Sequence, residues 1–554
     1  MRRVLFPVFV YLVLALGLTW PTVMELGQSV PGSPHTDAWD GLWSLSHVSQ
    51  SMFDGRTPLF SDALQFPVGG IVQMKDPLGA VLMLPVSALF GNTTAFSVLI
   101  WFQLMFSGWT MHMFAASFLR WRRGSGPSGW GPWISGVTLM VSPLMMSHVH
   151  NGTTEALSAG WVVLAIWMSW YASILKSIPA ILTAALCLSL AFFAHLAGGV
   201  VAFVFAVSLA VWGNGEVRGF RGATRWYVVV LGLLFAVVLT RASAETGGLG
   251  SVIDERSSEE IHETTRTLGA ADPLVYVLPG SHLSPNFREI SWHNERVVHV
   301  HYLGLCALGI ALWGVVRRRH RATGFLILAG GCSLALSLGP VLIRDAEAVL
   351  LFGTLAVPLP FWLLEDFPVF QSVSQPWQLA LGPMITVALL AGVALDQRGK
   401  RWALTALLFV WIDARVLSPA AEVPGSLDIQ PEAPLVGLSE APAGAVINYP
   451  LQRSRPYLFE QTIHGKPIAG TFNRVANPQA MRLWRRIHAE SENSPDTFHR
   501  AVSSTAKRLG IRYLVIHPDP DAEPDVYSAS VRKIEKLFPV PEWGRGQIRV
   551  VPLW

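Results

Sequence analysis

Apolar residues along this chain fall in long unbroken blocks, with polar and charged positions gathered between them. A hydrocarbon core of about 30 Å takes roughly 17 to 25 residues of helix. The blocks at 4–20, 96–119, 131–147, 157–175, 178–193, 197–213, 226–241, 299–316, 323–340, 377–396 and 402–417 meet or approach that length. The pattern therefore predicts a polytopic α-helical membrane protein of about 11 spans. A further apolar run, Pro77 to Gly91, is too short to cross, because 13–15 residues of helix rise only about 20 Å. It is expected to lie in the interface as a helix. Ala348 to Pro358 is a second short apolar stretch, expected to be re-entrant or interfacial.

The pattern changes after the last block. A Pro-rich linker, 418–434, leads into a segment where strands are expected at Val446–Pro450, Tyr513–His517 and Ile548–Leu553, and helices at Met481–Glu490 and Phe498–Leu509. Residues 435–554 then form a small α/β domain, and residues 1–417 the transmembrane domain.

Composition agrees. Charged residues make up 14% of the chain, against about a quarter in soluble domains, and the mean hydropathy is +0.41. A net charge of +4, dispersed along the chain, gives no basis for a nucleic-acid partner. Cys187, Cys306 and Cys332 all lie inside apolar runs and form neither a disulfide framework nor a zinc motif. Met1-Arg2-Arg3 before Val4–Trp20 reads as an uncleaved signal anchor, since no small-x-small site follows it.

The basic residues orient the chain. A cytoplasmic N-terminus places Arg2, Arg3, Arg120, Arg122, Arg123, Lys176, Arg218, Arg221, Arg225, Arg317–Arg319, Arg321, Arg398, Lys400 and Arg401 inside. The short loops near 148–156 and 193–197 then lie outside and hold no Lys or Arg. The long loops 21–95, 242–298 and 341–376 and the C-terminal domain become extracytoplasmic, in a plasma (inner) membrane. The cytoplasmic loops are short and lack GxxxxGK[ST], which excludes an ATP-driven pump within the chain.

Chemistry is therefore sought in the outer loops. In Gly32-Ser33-Pro34-His35-Thr36-Asp37-Ala38-Trp39-Asp40-Gly41, the carboxylates of Asp37 and Asp40 are three residues apart, on one face of a helix. Such a pair can supply a general base or hold a divalent metal cation. Equally, Thr36 or Asp37 is a normal helix N-cap. Lys75 and Asp76 precede Pro77, where a solvated helix start is the plain reading. His148, His150 and Glu155 lie in SHVHNGTTEA, expected to be an irregular cap, and His195 lies between two spans. These are binding candidates or merely polar helix ends. Lys75, Arg288 and Arg296 are the outer-loop cations available to a phosphate. Phe361, Trp362, Glu365, Asp366 and Trp377 suit a sugar or headgroup, or an ordinary aromatic belt.

A first span, an outer loop carrying HTDAWDG, and then a Pro-containing interfacial segment ending in LFG together resemble the GT-C superfamily of membrane glycosyltransferases. The likeness is to bacterial members related to protein O-mannosyltransferases and aminoarabinose transferases. Where those usually read HPPL, this chain has Asp76-Pro77-Leu78. The resemblance implies hexosyl or pentosyl transfer, with inversion, from a polyprenyl-phosphate carrier in the membrane lipid to an extracytoplasmic glycan, lipid or protein acceptor. It also implies that the acid of the first loop is base or metal partner: here Asp37, with Asp40 second. A transporter or flippase of lipid-linked intermediates, or a non-catalytic assembly partner working through the C-terminal domain, remain the alternatives. The near absence of charge at span centres speaks against transport.

Overall fold

The computed structural model describes residues 2–33, 36–72, 74–123, 129–175, 177–212, 269–281, 283–284, 299–317, 323–367, 370, 373, 375–418, 425–449, 454–470, 483, 495–518, 531–532 and 534–554. The span expected at 226–241 and nearly all of the helix expected at Met481–Glu490 lie outside these residues.

In chain order the helices begin with α1 (Arg2–Leu18), α2 (Ala38–Phe53), α3 (Pro77–Leu82), α4 (Leu84–Phe90), α5 (Asn92–Arg123), α6 (Gly131–Met140) and α7 (Pro143–Asn151). Next come α8 (Ala159–Leu175), α9 (Ile178–Ala194), α10 (Leu196–Trp212), α11 (Leu305–Arg317), α12 (Gly324–Ser337), α13 (Leu381–Leu395) and α14 (Lys400–Ile412). The last are α15 (Ala433–Glu440), α16 (Ser454–His464) and α17 (Pro495–Leu509). The strands are β1 (Ser29–Pro31), β2 (Phe60–Ser61), β3 (Gly70–Ile71), β4 (Ile343–Arg344), β5 (Glu347–Ala348), β6 (Leu350–Leu351) and β7 (Leu355–Ala356). They end with β8 (Ser426–Asp428), β9 (Ala445–Tyr449), β10 (Ile511–Ile516) and β11 (Arg549–Pro552).

Two expectations are corrected. The run at 131–147 is two helices: Pro143 opens α7, and the Ser142 hydroxyl accepts the Met145 N–H at 3.3 Å, a stop and restart that an apolar count cannot see. Pro77–Gly91 is likewise two short helices, broken at Met83 before Leu84-Pro85. Ala348–Pro358, expected to be re-entrant or interfacial, holds the hairpin of β6 and β7.

Among the described residues, two helices are long and apolar enough to cross a membrane, Asn92–Trp121 and Pro376–Leu395. The other apolar helices are shorter. α8, α9 and α10 have 17 residues each. A helix of that length rises about 25 Å, so spanning the core requires flanking turns or a thinned bilayer.

The described chain divides into two compact units. The first takes in the described parts of Met1–Thr36, Asp76–Glu245 and Glu255–Leu427; the second, those of Asp37–Lys75 and Asp428–Trp554. In the first, α5 packs on α1, α6 and α8, and α13, buried along its whole length, packs on α6, α11 and α12. Small residues permit the approach: a β-carbon on Gly392 would overlap the Ser135 hydroxyl across the α6–α13 contact. After α14, Asp413 opens a π-helical turn. Its carboxylate accepts the Tyr302 hydroxyl at 2.7 Å and the Cys306 N–H, also at 2.7 Å, which satisfies the start of α11.

The second unit is built on a three-stranded sheet of order β11-β10-β9, with β9 and β10 parallel and β10 and β11 antiparallel. Strand alternation sorts its two cores. Ala445, Ile447, Tyr449, Leu514 and Ile516 face one, with Val502, Ala506 and Phe538; Val446, Tyr513 and Val515 face the other. Trp43, Leu64 and Val72 fill that second core beside Leu435, Leu438 and Leu458, so the segment 37–75 is part of this unit's interior. Trp43 donates its indole N–H to Gln461 on α16 at 2.8 Å.

Candidate functional site

The acidic motif sits at the start of α2. Asp37 takes the N-cap position, half-buried, yet its side chain makes no capping bond to the helix; Asp40, in the first turn, is fully buried. One turn on, Ser44 accepts the Lys75 N–H at 2.9 Å and donates its hydroxyl to the Lys75 carbonyl at 3.3 Å. This ties Lys75 to the helix bearing the two acids. Asp37, Asp40 and Lys75 therefore belong together in the second unit.

The next residue, Asp76, belongs to the first unit and is not the solvated helix start expected of it. It is 2% exposed and holds a left-handed backbone, φ +42°. Its Oδ1 accepts the Gly79 N–H at 2.8 Å, capping α3, and its Oδ2 accepts the Gln103 side-chain amide at 3.0 Å. Burial pushes the carboxyl up to about 7; the two hydrogen bonds oppose the shift and the charge of Glu155 adds to it. Gly79 leaves room for that carboxylate, which a β-carbon there would strike.

Glu155 follows the end of α7. The helix closes at Gly152 in the left-handed conformation, φ +65°, which a side chain rarely adopts. His148 is buried, with Nδ1 3.2 Å from the Thr153 hydroxyl. Burial first, and His195 at the end of α9 second, hold its pKa down at about 3, against the pull of Glu155. His150 stands 3.2 Å from the Ser33 hydroxyl, and burial lowers it to about 4. Because α7 remains helical through Asn151, residues two apart point to different sides, so His148 and His150 do not share a site as an extended cap would allow. The Asn151 side chain lies 3.5 Å from His299 Nδ1, and the His299 ring packs on Trp377 at 4.0 Å.

In the first unit Glu155 is thus within electrostatic reach of both Asp76 and His148, and His195 of His148, with His299 and Trp377 alongside. Arg288 and Arg296 lie outside the described residues. Among the described residues, no three His, Cys, Asp or Glu side chains converge as a metal-ion site. Asp76, Gln103, His299 and Trp377 were missed as a group by sequence reasoning. The usable signal was Gln103, a lone amide inside the apolar run 96–119.

No protein-family model and no curated protein sequence matches this chain. Solved structures do share its fold. ArnT from Cupriavidus metallidurans, bound to undecaprenyl phosphate, is similar at 12% identity and TM-score 0.53, over 99% of this chain and 98% of that one. The archaeal oligosaccharyltransferase AglB from Archaeoglobus fulgidus, in complex with an inhibitory peptide and a dolichol-phosphate, is similar at 12% identity and TM-score 0.52, over 93% of this chain and 69% of that one. The arabinofuranosyltransferase AftD from Mycobacteria matches 96% of this chain at 14% identity and TM-score 0.51, but the match spans only 36% of AftD. The chain shares its fold with these three proteins.

Proposed function

We propose that this chain is a membrane glycosyltransferase that moves a sugar from a polyprenyl-phosphate carrier to an extracytoplasmic acceptor. The observation that carries the reading is the cluster of buried Asp76 and His148 with half-buried Glu155 and His195, set in a GT-C fold. In the reaction an acceptor hydroxyl oxygen attacks the anomeric carbon, the bond from that carbon to the phosphate oxygen breaks, and polyprenyl phosphate leaves. The hydroxyl proton passes to a carboxylate. Glu155 is the member of the cluster suited to that task, being half-buried. Both oxygens of Asp76 are already engaged, and it serves as a positioning residue. His148, held neutral, and His195 offer hydrogen bonds to the sugar. The orientation follows the basic loops, with the N-terminus cytoplasmic and residues 435–554 outside.

Asp37 provides a second reading of the base, as the half-buried acid at the start of α2. A panel of Glu155→Gln, Asp37→Asn and Asp40→Asn separates the two. Cells lacking the protein are expected to accumulate a polyprenyl-phosphate sugar, read by mass spectrometry of extracted lipid, and the wild-type gene should clear it. Glu155→Gln should fail to clear it at normal membrane levels, with transfer reduced on the order of 10²–10⁴. Clearance by Glu155→Gln but not by Asp37→Asn moves the base to Asp37. Clearance by all three variants sinks the enzyme reading.

A further inference from the structure

Residues 349–358, VLLFGTLAVP, carry no charge, and they form the free end of a small β-structure whose other end is charged. Arg344, Asp345 and Glu347 sit exposed near its root. The root is fixed: the Leu342 N–H donates to Val357 at 2.9 Å, Val349 to Leu342 at 2.9 Å and Val357 to Val349 at 3.1 Å. Val341 and Ile343 are buried against Ala270, with Ala356 packed on them. Beyond that root, β6 and β7 pair as Leu350 with Ala356 and Leu351 with Leu355, and the chain reverses through Phe352-Gly353-Thr354.

The reversal uses the wrong residue for its backbone. Phe352 has φ +53° and Gly353 φ +75°, and the Thr354 N–H closes the turn on Leu351 at 3.2 Å. A turn with positive φ at both central positions selects Asn-Gly or Asp-Gly, whose first residue tolerates the left-handed region. An aromatic there costs on the order of 1 kcal/mol or more in strain. Among the described residues nothing offsets it, because Phe352 is 99% exposed, and Leu350, Leu351 and Leu355 are largely exposed as well.

We propose that this hairpin is a membrane anchor, with Phe352 leading into the headgroup region of the bilayer that the apolar helices cross. The anchor rests on the membrane reading given above. It is continuous with that membrane: the loop begins after α12, its turn at Pro360–Leu363 packs on α12, and it ends where the apolar helix at Pro376 begins. Trp362, Leu363 and Phe367 of the same loop are exposed too. From Val349 to the tip, three residues of strand reach about 10 Å, which matches the 5–10 Å to which interfacial elements sink. A second copy of the chain is the competing occupant.

The test is spin-label accessibility in the full-length protein, in phosphatidylcholine–phosphatidylglycerol nanodiscs, with Cys187, Cys306 and Cys332 replaced by alanine. Nitroxides are placed at Phe352→Cys, at Glu347→Cys as the aqueous reference, and at Leu312→Cys, on the exposed face of α11, as the lipid reference. The ratio of oxygen to nickel-chelate collision at 352 is expected to be several-fold that at 347 and close to that at 312. A ratio at 352 equal to that at 347, with 312 in lipid, overturns the anchor and leaves the membrane reading standing. A label at 312 open to the nickel chelate overturns the membrane reading and the anchor with it. A label at 352 shielded from both reagents, with dipolar broadening between labels, identifies a second copy and also overturns the anchor.

Discussion

At Asp76 two duties of one side chain separate by substitution. Asn caps helices about as well as Asp and accepts a left-handed backbone. The Gln103 amide oxygen, which has no hydrogen-bond partner, can rotate toward the new amide N–H. Asp76→Asn should therefore insert at normal levels and lose only what depends on charge. Asp76→Ala loses the cap and should cost roughly 0.5–2 kcal/mol. Gly79→Ala, which at an exposed helical site gains about 1 kcal/mol, should here reduce both thermal stability and transfer, because the new methyl strikes the Asp76 carboxylate. A Gly79→Ala protein that is stabilised and fully active would refute that geometry. The sequence disclosed Asp76 only as a helix start, because its burial comes from α3 packing on α9 and from Gln103 on α5, contacts that no local pattern encodes. Glu155, His148 and His195 were legible as polar residues at apolar helix ends. Their mutual approach was not.

Elements were legible where one physical signal governs them. Long apolar runs became α5, α8, α9 and α10, and the strands of the second unit lie within two residues of the expected positions at 446, 513 and 548. Breaks were not legible in the run at 131–147, where a single Ser-Pro pair interrupts a 17-residue run that hydropathy counts as one span. The stretch at 349–357 was legible as short, apolar and re-entrant or interfacial but not as a hairpin, because hydropathy does not distinguish a strand from an interfacial helix at that length. In α16, a buried acid sets a pH response. Glu460, 8% exposed with Oε2 3.4 Å from His517 Nε2, is pushed from 4.5 up to about 8 by burial first and the charge of Glu432 second. The folded state then keeps a proton that the unfolded chain gives up. Glu460's contribution to stability is fully present below about pH 4.5 and is lost as pH rises toward 8, by at most about 1.4 kcal/mol per pH unit. Thermal unfolding of the detergent-solubilised protein between pH 5 and pH 9 should show this fall in the wild type and a shallower one in Glu460→Gln. Parallel curves would show that Glu460 titrates normally.

For the whole molecule, the basic-loop asymmetry makes a claim about sidedness that intact cells can check. Gln397, exposed between α13 and α14 beside Arg398, Lys400 and Arg401, belongs inside, and Ser439, exposed on α15, belongs outside. In a background without the native cysteines, Ser439→Cys should react with a membrane-impermeant maleimide and Gln397→Cys should resist until the membrane is permeabilised. The reverse pattern would invert the topology and move the proposed chemistry to the cytoplasm. The two ends of the first unit also meet: Glu25 accepts the hydroxyls of Ser29 and Ser426, each at 2.8 Å, and the Gly32 N–H donates to Gly425 at 3.0 Å. The Glu25–Ser426 bond links residues 401 apart in sequence. That separation fixes an order of events during biosynthesis. The segment Ser29–Pro31 leaves the ribosome early, yet its partner at 425–426 follows the final apolar helix, so this clasp can close only after every intervening helix has been delivered to the membrane. Closing so long a loop costs little more than closing a short one, since the entropy grows only with the logarithm of length. The delay, rather than the cost, is what the arrangement imposes: until synthesis is nearly finished, a nascent chain carries an unmatched strand just after its first helix, available to whatever factor attends insertion.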